Sequence, residues 1–255
     1  MRLPEAIGRE LRARRHSALL LTIIAMFAVR PFLGDTGAGA IVFSLALLLV
    51  LLVALLTIQV DDLVGERSAL LVQHHRRVYV GWALAVLATA ERLWLFFDPH
   101  PRLYVMGSVS WLLFFSFVTW SQLRNLLKQR EITGETISMS ISIYLLLGMT
   151  WALLYAVLFT YHPEAFHFAT PAGLSEADRF PILIYFSLTT LSTVGFGDIT
   201  PMTLPARYAA VAEGIAGQFY LAILVARLVG MQMSRAATPS PGAPAHDRRT
   251  ENPDR

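Results

Sequence analysis

Long uncharged stretches alternate with short polar breaks along most of the chain, and their lengths predict the elements more than any periodicity does. A helix needs about 20 residues to cross roughly 30 Å of hydrocarbon. Segments 17–33, 39–60, 78–97, 103–123, 136–161 and 204–230 approach or exceed that length, so six membrane-spanning helices are expected. The first includes Arg30, whose stem can lie along apolar surface while its head reaches water. The third carries Glu91 and Arg92 and stops at Asp98-Pro99-His100-Pro101, because proline cannot continue a helix. The last contains Arg207, Glu213 and Arg227. Trp and Tyr near the ends of the fourth and fifth stretches suit the membrane interface.

Residues 180–197 form a further uncharged run of 18 residues, and this one is not expected to span. It opens on Pro181 and ends in Gly195, Phe196 and Gly197, followed by Asp198 and Pro201, which leaves about twelve residues suited to a helix. A re-entrant half-helix over 181–192 fits better. Backbone that is not helical is tolerated at membrane depth only where protein buries it or a watery path runs beside it. Proline suits the first turn of such a helix, and the dipole at its carboxyl end favours a cation there.

Composition agrees with this reading. Hydrophobic residues make up 55% and charged residues 15%, whereas soluble domains run near half apolar and a quarter charged. A soluble enzyme, a disordered chain and a nucleic-acid-binding domain are thereby excluded as whole-chain readings. The net charge of +3 matters through its placement. Arg and Lys crowd cytoplasmic loops, and six spans put fifteen of them on one side against Arg30, Arg102, Arg179 and Arg207 on the other. A seventh span would weaken that bias. Both termini are therefore expected in the cytoplasm, the basic segment 1–16 and the tail 234–255, whose Pro, Ala, Ser and charge cannot build a core. Basic Arg12 to Arg15 and the triplet Ala38-Gly39-Ala40 resemble a signal peptide, but the small residues lie too far beyond the apolar run. Without cysteine there is no disulfide, thiolate ligand or Cys nucleophile. Neither a nucleotide-binding loop nor a metal-ligand or catalytic set is visible, so no enzyme activity and no cofactor are expected.

Residues 187–198 read Ser-Leu-Thr-Thr-Leu-Ser-Thr-Val-Gly-Phe-Gly-Asp, with a span on each side. This resembles the selectivity filter of potassium channels, and the resemblance runs from about Ser138 to Met233. Chemically, a desolvated monovalent cation needs oxygen ligands in place of its water. To aim successive carbonyls at one axis the chain must alternate left- and right-handed dihedrals, and Gly195 and Gly197 accept positive φ without a Cβ penalty. The resemblance implies a filter over Thr193, Val194, Gly195, Phe196, Gly197 and Asp198. Potassium would sit at the carbonyls of Thr193, Val194, Gly195 and Phe196 and the Thr193 hydroxyl. It implies four identical chains around one axis, since a single loop cannot close a ring, and a cell-membrane location. Tyr185 and Phe186 take the place of an aromatic cuff, and Thr189, Thr190 and Ser192 that of the support behind the filter. Two residues depart from the commonest pattern: Phe196 stands where Tyr is usual, and Ser192 where a second Thr is frequent.

The same resemblance divides the chain into four accessory helices over 17–135 and a pore module over 136–233. Gly217 falls 22 residues after Gly195, at the family's usual hinge position; close packing between membrane helices is the other reading of such a glycine. Glu213 is an intramembrane carboxyl and a functional candidate by default, either a structural partner of Thr189 or Thr190 or a gating or proton-sensing group. Glu91 and Arg92 are expected to find partners on neighbouring spans. His74, His75, Arg76 and Arg77 are expected in a solvated cytoplasmic loop that could meet anionic lipid. His162 and His167 lack the acidic pattern of a metal site.

A voltage sensor needs several Arg in the fourth span, because one charge moved through 100 mV is worth about 2.3 kcal/mol. Segment 103–123 carries none. Steep voltage gating is not expected, and neither is control by an appended soluble domain, since about 22 residues follow the last span. Potassium conduction is the leading expectation, with membrane lipid and further copies of the chain as the partners and no nucleic acid. A cation-transporter subunit and a non-conducting sensor or assembly protein stand as alternatives. The transporter is disfavoured because its kind carries several degenerate loops in one chain, and the relic by an intact 193–198 run.

Overall fold

A computed structural model describes residues 14–33, 37–65, 71–95, 101–129, 132–169 and 176–236. Helix α1 covers Arg15–Val29 and runs on through a 3-10 turn at Arg30–Phe32. Next come α2 (Gly37–Gly65), α3 (Leu71–Leu95), α4 (Pro101–Lys128) and α5 (Gly134–Tyr161). A short strand β1 (Phe166–Phe168), helix α6 (Glu176–Leu191), strand β2 (Ile199–Pro201) and the long helix α7 (Leu204–Ala236) complete the order. Arg15–Phe32, Ile41–Gln59, Gly134–Tyr161 and Leu204–Gly230 are long and apolar enough to cross a membrane, while Val78–Glu91 and Arg179–Leu191 are shorter apolar helices. The chain is thus a multi-span α-helical membrane protein.

Several boundaries differ from those expected. Pro181 is the sixth residue of α6 rather than its first turn. The preceding Glu176-Ala177-Asp178-Arg179 offers helix-forming residues and two carboxyls at the end where the helix dipole favours negative charge. The helix therefore begins before the proline, at the loss of one internal hydrogen bond. His74, His75, Arg76 and Arg77 belong to α3 and not to a loop, because nothing in Leu71–Arg77 breaks a helix once the span has nucleated one. Helix α4 extends past 103–123 at both ends and starts on Pro101, a residue well suited to a first helical turn. The expectations for 1–13, for Asp98, Pro99 and His100, and for 237–255 fall outside the described residues.

Helix α5 is the central post, packing against α1, α4, α6 and α7. Its start is fixed locally: the Thr133 side chain accepts from the Thr136 backbone, and the Thr136 side chain reciprocates in a capping box. From the same first turn, Glu135 reaches across to α1, accepting hydrogen bonds from the backbone N–H of His16 at 2.9 Å and Ser17 at 3.4 Å, and from the Ser17 hydroxyl. Helix α1 has no side-chain cap of its own. Glu135 supplies it, satisfying N–H groups that the first turn leaves open. Deeper in, Leu146, Met149, Ala152 and Tyr155 are buried in the core with Phe114 and Phe115 of α4 and Leu183 and Phe186 of α6. Polar ties cross the same layer: Gln122 donates to Thr57 at 2.8 Å, and the Thr119 and Thr150 hydroxyls lie 3.1 Å apart.

Two further contacts position the C-terminal third. Strands β1 and β2 pair antiparallel, with Phe166 opposite Pro201, His167 opposite Thr200 and Phe168 opposite Ile199. Bonds from Ala169 N to Asp198 O (2.9 Å) and from Met202 N to Ala165 O (2.8 Å) extend this ribbon. At the opposite end of α7, the Arg227 guanidinium donates to the carbonyls of Leu127 (2.9 Å) and Gln129 (2.5 Å) at the end of α4. Between these anchors α7 leaves Tyr208, Val211, Ile215, Phe219, Ile223 and Val225 exposed in the single chain.

Candidate functional site

The site grows out of the carboxyl end of α6. There the Ser192 N–H bonds the Leu188 carbonyl and the Thr193 N–H the Thr190 carbonyl, each at 3.0 Å. The N–H groups of Val194 (2.9 Å) and Gly195 (3.2 Å) both turn back to the Thr189 carbonyl. In a planar trans peptide the C=O points opposite to the N–H. With the N–H groups of residues 193, 194 and 195 directed at the helix end, the carbonyls of Ser192, Thr193 and Val194 point away from it.

Backbone handedness follows the same logic. Gly195 has φ of +50° and Gly197 +81°, as the spacing of the two glycines predicts, and Thr193 has +60°. Among the described non-glycine residues Thr193 alone is positive, so the sign alternates from Thr193 through Gly197. Residues 192–198 are all exposed, Val194 to 54% and Phe196 to 68%. An exposed row of backbone at the end of an apolar helix, with the carbonyls of residues 192–194 turned away from that helix, is an expensive arrangement in hydrocarbon. It is suited to ligating a cation.

The expected support residues separate into two roles. Tyr185 faces the loop: its ring stacks on Phe196 at a centroid distance of 6.2 Å and an interplanar angle of 1°, and its hydroxyl interacts with the Asp198 carboxylate. The missing phenol at Phe196 is thus offset by a ring-on-ring contact with a tyrosine on the helix. Phe186 points the other way, buried against Tyr155 at 5.1 Å and Phe166 at 5.4 Å. Thr189 and Thr190 act through their backbone carbonyls, and the Thr189 hydroxyl donates to the Phe186 carbonyl at 2.9 Å. The Ser192 hydroxyl donates to the Leu188 carbonyl at 2.7 Å, a bond that needs no methyl group.

Glu213 does not bond Thr189 or Thr190. It is fully buried, receives the Tyr155 hydroxyl at 2.5 Å, and contacts the Ser187 hydroxyl. Helix α7 passes α6 too closely for the expected pairing: Gly214 lies beside the Thr190 carbonyl and Gly217 beside that of Leu191, leaving Glu213 level with Ser187. The sequence signal for both missed residues is the burial of a carboxyl, which demands donors on adjacent helices. At Gly217 an added Cβ would collide with the Leu191 carbonyl oxygen and come within 3.0 Å of Leu191 Cδ1, so this glycine is a contact point between α7 and the end of α6. Glu91 accepts from Ser110 of α4 at 3.1 Å, a neighbouring helix as expected. Exposed His162 lies 3.3 Å from Glu164 and His167 sits on β1. Among the described residues no group of three or more acidic, His or Cys side chains could hold a metal.

Residues 135–233 match the family model described as an ion channel. The matched part begins at Glu135, takes in α6 and the loop after it, and ends in α7 at Met233. No curated protein and no solved structure matches the chain. The match likens this part of the chain to ion channels, proteins of transport across membranes.

Proposed function

We propose that the chain is one subunit of a potassium-selective channel in which four copies surround a common axis. The alternation of backbone sign over residues 193–197, with the Thr193 and Val194 carbonyls turned away from α6, carries this reading. Four such loops offer rings of oxygen that can replace the hydration shell of a potassium ion. The ion sites are the carbonyls of Thr193, Val194, Gly195 and Phe196 with the Thr193 hydroxyl. Asp198 ends the filter and is held beside Tyr185. In this arrangement α5, the re-entrant α6 and α7 form the pore module over 136–233, and four accessory spans occupy 17–135, with both termini in the cytoplasm of the cell. The match of residues 135–233 to an ion-channel family supports the general function. The exposed apolar surface of α7 suits lipid and leaves room for neighbouring copies.

The test is rubidium uptake into liposomes holding the purified full chain, with sodium as competitor and native mass determination of the assembly. Uptake that resists sodium, a tetrameric mass, and loss of uptake in Gly195→Asp are the expected results. A monomer, or uptake that Gly195→Asp leaves unchanged, refutes the proposal.

A further inference from the structure

Glu213, Tyr155, Ser187 and Gly148 meet where α7, α5 and α6 converge, and all four are buried. The Ser187 hydroxyl lies 2.6 Å from the Gly148 carbonyl oxygen and is also in hydrogen-bond contact with Glu213 Oε1. A serine hydroxyl has one hydrogen. A carbonyl accepts only, and so does an ionised carboxylate. If Glu213 were ionised, two acceptors would claim that hydrogen and one short oxygen–oxygen contact would have no proton in it. One added proton on Oε1 closes the set: Glu213 donates to Ser187, Ser187 donates to the Gly148 carbonyl, and the Tyr155 hydroxyl donates to Oε2 at 2.5 Å. The described hydrogen-bond partners of Glu213 are both hydroxyls, and a buried carboxyl in such company is far more costly charged than neutral.

We propose that Glu213 is a neutral acid, and that Tyr155, Glu213 and Ser187 form a proton-complete relay ending on the Gly148 carbonyl that positions the filter. The relay joins three helices by side chains that do not touch the ion. Ser187 lies one turn before Leu191 on α6, the helix whose last carbonyls hold the N–H groups of residues 192–195. Gly148 permits the approach, because a Cβ there would come within 2.7 Å of Leu188 Cδ2. Tyr155 belongs at once to the relay and to the aromatic cluster of Phe166 and Phe186, and so links it to the outer ribbon. These three are positioning residues of the filter, and the inference about the filter rests on the function proposed above.

Glutamine tests the protonation directly. Its amide oxygen accepts from Tyr155 and its NH2 donates to Ser187, so Glu213→Gln reproduces the neutral acid and not the carboxylate. Rubidium uptake against sodium is measured in the assembled full chain for the parent, Glu213→Gln, Glu213→Ala and Ser187→Ala. Glu213→Gln is expected to keep the parent's discrimination. Glu213→Ala and Ser187→Ala are expected to lose about tenfold of it, as the stranding of a buried partner implies. Equal loss in Glu213→Gln and Glu213→Ala, or unchanged discrimination in both alanine variants, overturns the relay. Infrared difference spectra of parent minus Glu213→Gln at neutral pH, in a detergent without carbonyl groups, give a second reading. A protonated-carboxyl stretch is expected, and a carboxylate band in its place overturns the proposal. That spectrum is read whether or not the protein conducts, so a silent parent counts against the channel while the neutral acid is judged on its own.

Discussion

Thr193 holds φ at +60° although its β-branched side chain resists that region, and the bonds from its own N–H and from those of the next two residues to Thr190 and Thr189 keep it there. Gly195 and Gly197 adopt positive φ without that resistance. For Gly197, where an added Cβ would meet nothing within 4 Å in the single chain, the penalty of a side chain is purely conformational. Gly197→Ala is accordingly expected to destabilise the loop by about 1–2 kcal/mol, read as weakened sodium exclusion in rubidium uptake with little change in the melting of the helical body. Gly217→Ala has a different origin and a broader effect. Its methyl meets the Leu191 backbone, which cannot rotate aside, and a loss of roughly 1–3 kcal/mol in stability is expected by thermal unfolding in detergent. A Gly217→Ala protein as stable as the parent and conducting like it would remove both the packing and the hinge roles. At this scale the glycines were legible because theirs is the residue type that takes positive φ without a Cβ penalty. Thr193 was not, because its conformation is imposed by bonds to α6. The partners of Glu213 were not either: Ser187 and Tyr155 lie 26 and 58 residues away, and only the packed helices set their depth.

Between elements, two of the ties that hold the matched segment to the helices before it lie near its ends. Glu135 caps α1 from the first turn of α5, replacing the side-chain cap that α1 lacks. Glu135→Ala should release about 1 kcal/mol of that attachment, measured as a several-fold faster trypsin cleavage at Arg14 or Arg15 with α6 and α7 unaffected. Arg227 joins the far end of α7 to the carbonyls that close α4, where a cation also complements the helix dipole. Arg227→Ala should raise amide hydrogen exchange over the last turns of α7 by about tenfold, the scale of a lost charge-assisted bond, and leave exchange in α5 as it was. The helices themselves were readable from uncharged length, since hydrocarbon thickness sets that length directly. Their ends were less so. Helix α6 starts before Pro181 and α3 includes His74 to Arg77, because a helix continues into polar sequence wherever no residue stops it.

For the molecule as a whole, α5 serves as the post on which α1, α4, α6 and α7 all pack, while α7 turns most of its large apolar side chains outward. The class of the protein followed from composition, because the bilayer acts on totals of apolar and charged residues. The short ribbon of β1 and β2 had no such signature: three residues per strand are too few to show an alternation, and their pairing depends on where α5 and α7 deliver the chain. Yet the ribbon pinches together the two ends of everything from Ala169 to Asp198, including α6 and the loop. A segment joined at its neck has already surrendered the entropy of ring closure within one subunit. In the assembly proposed above, four copies would then have mostly preformed loops to bring into register, and the geometry of each loop would be inherited from its own subunit rather than negotiated among neighbours.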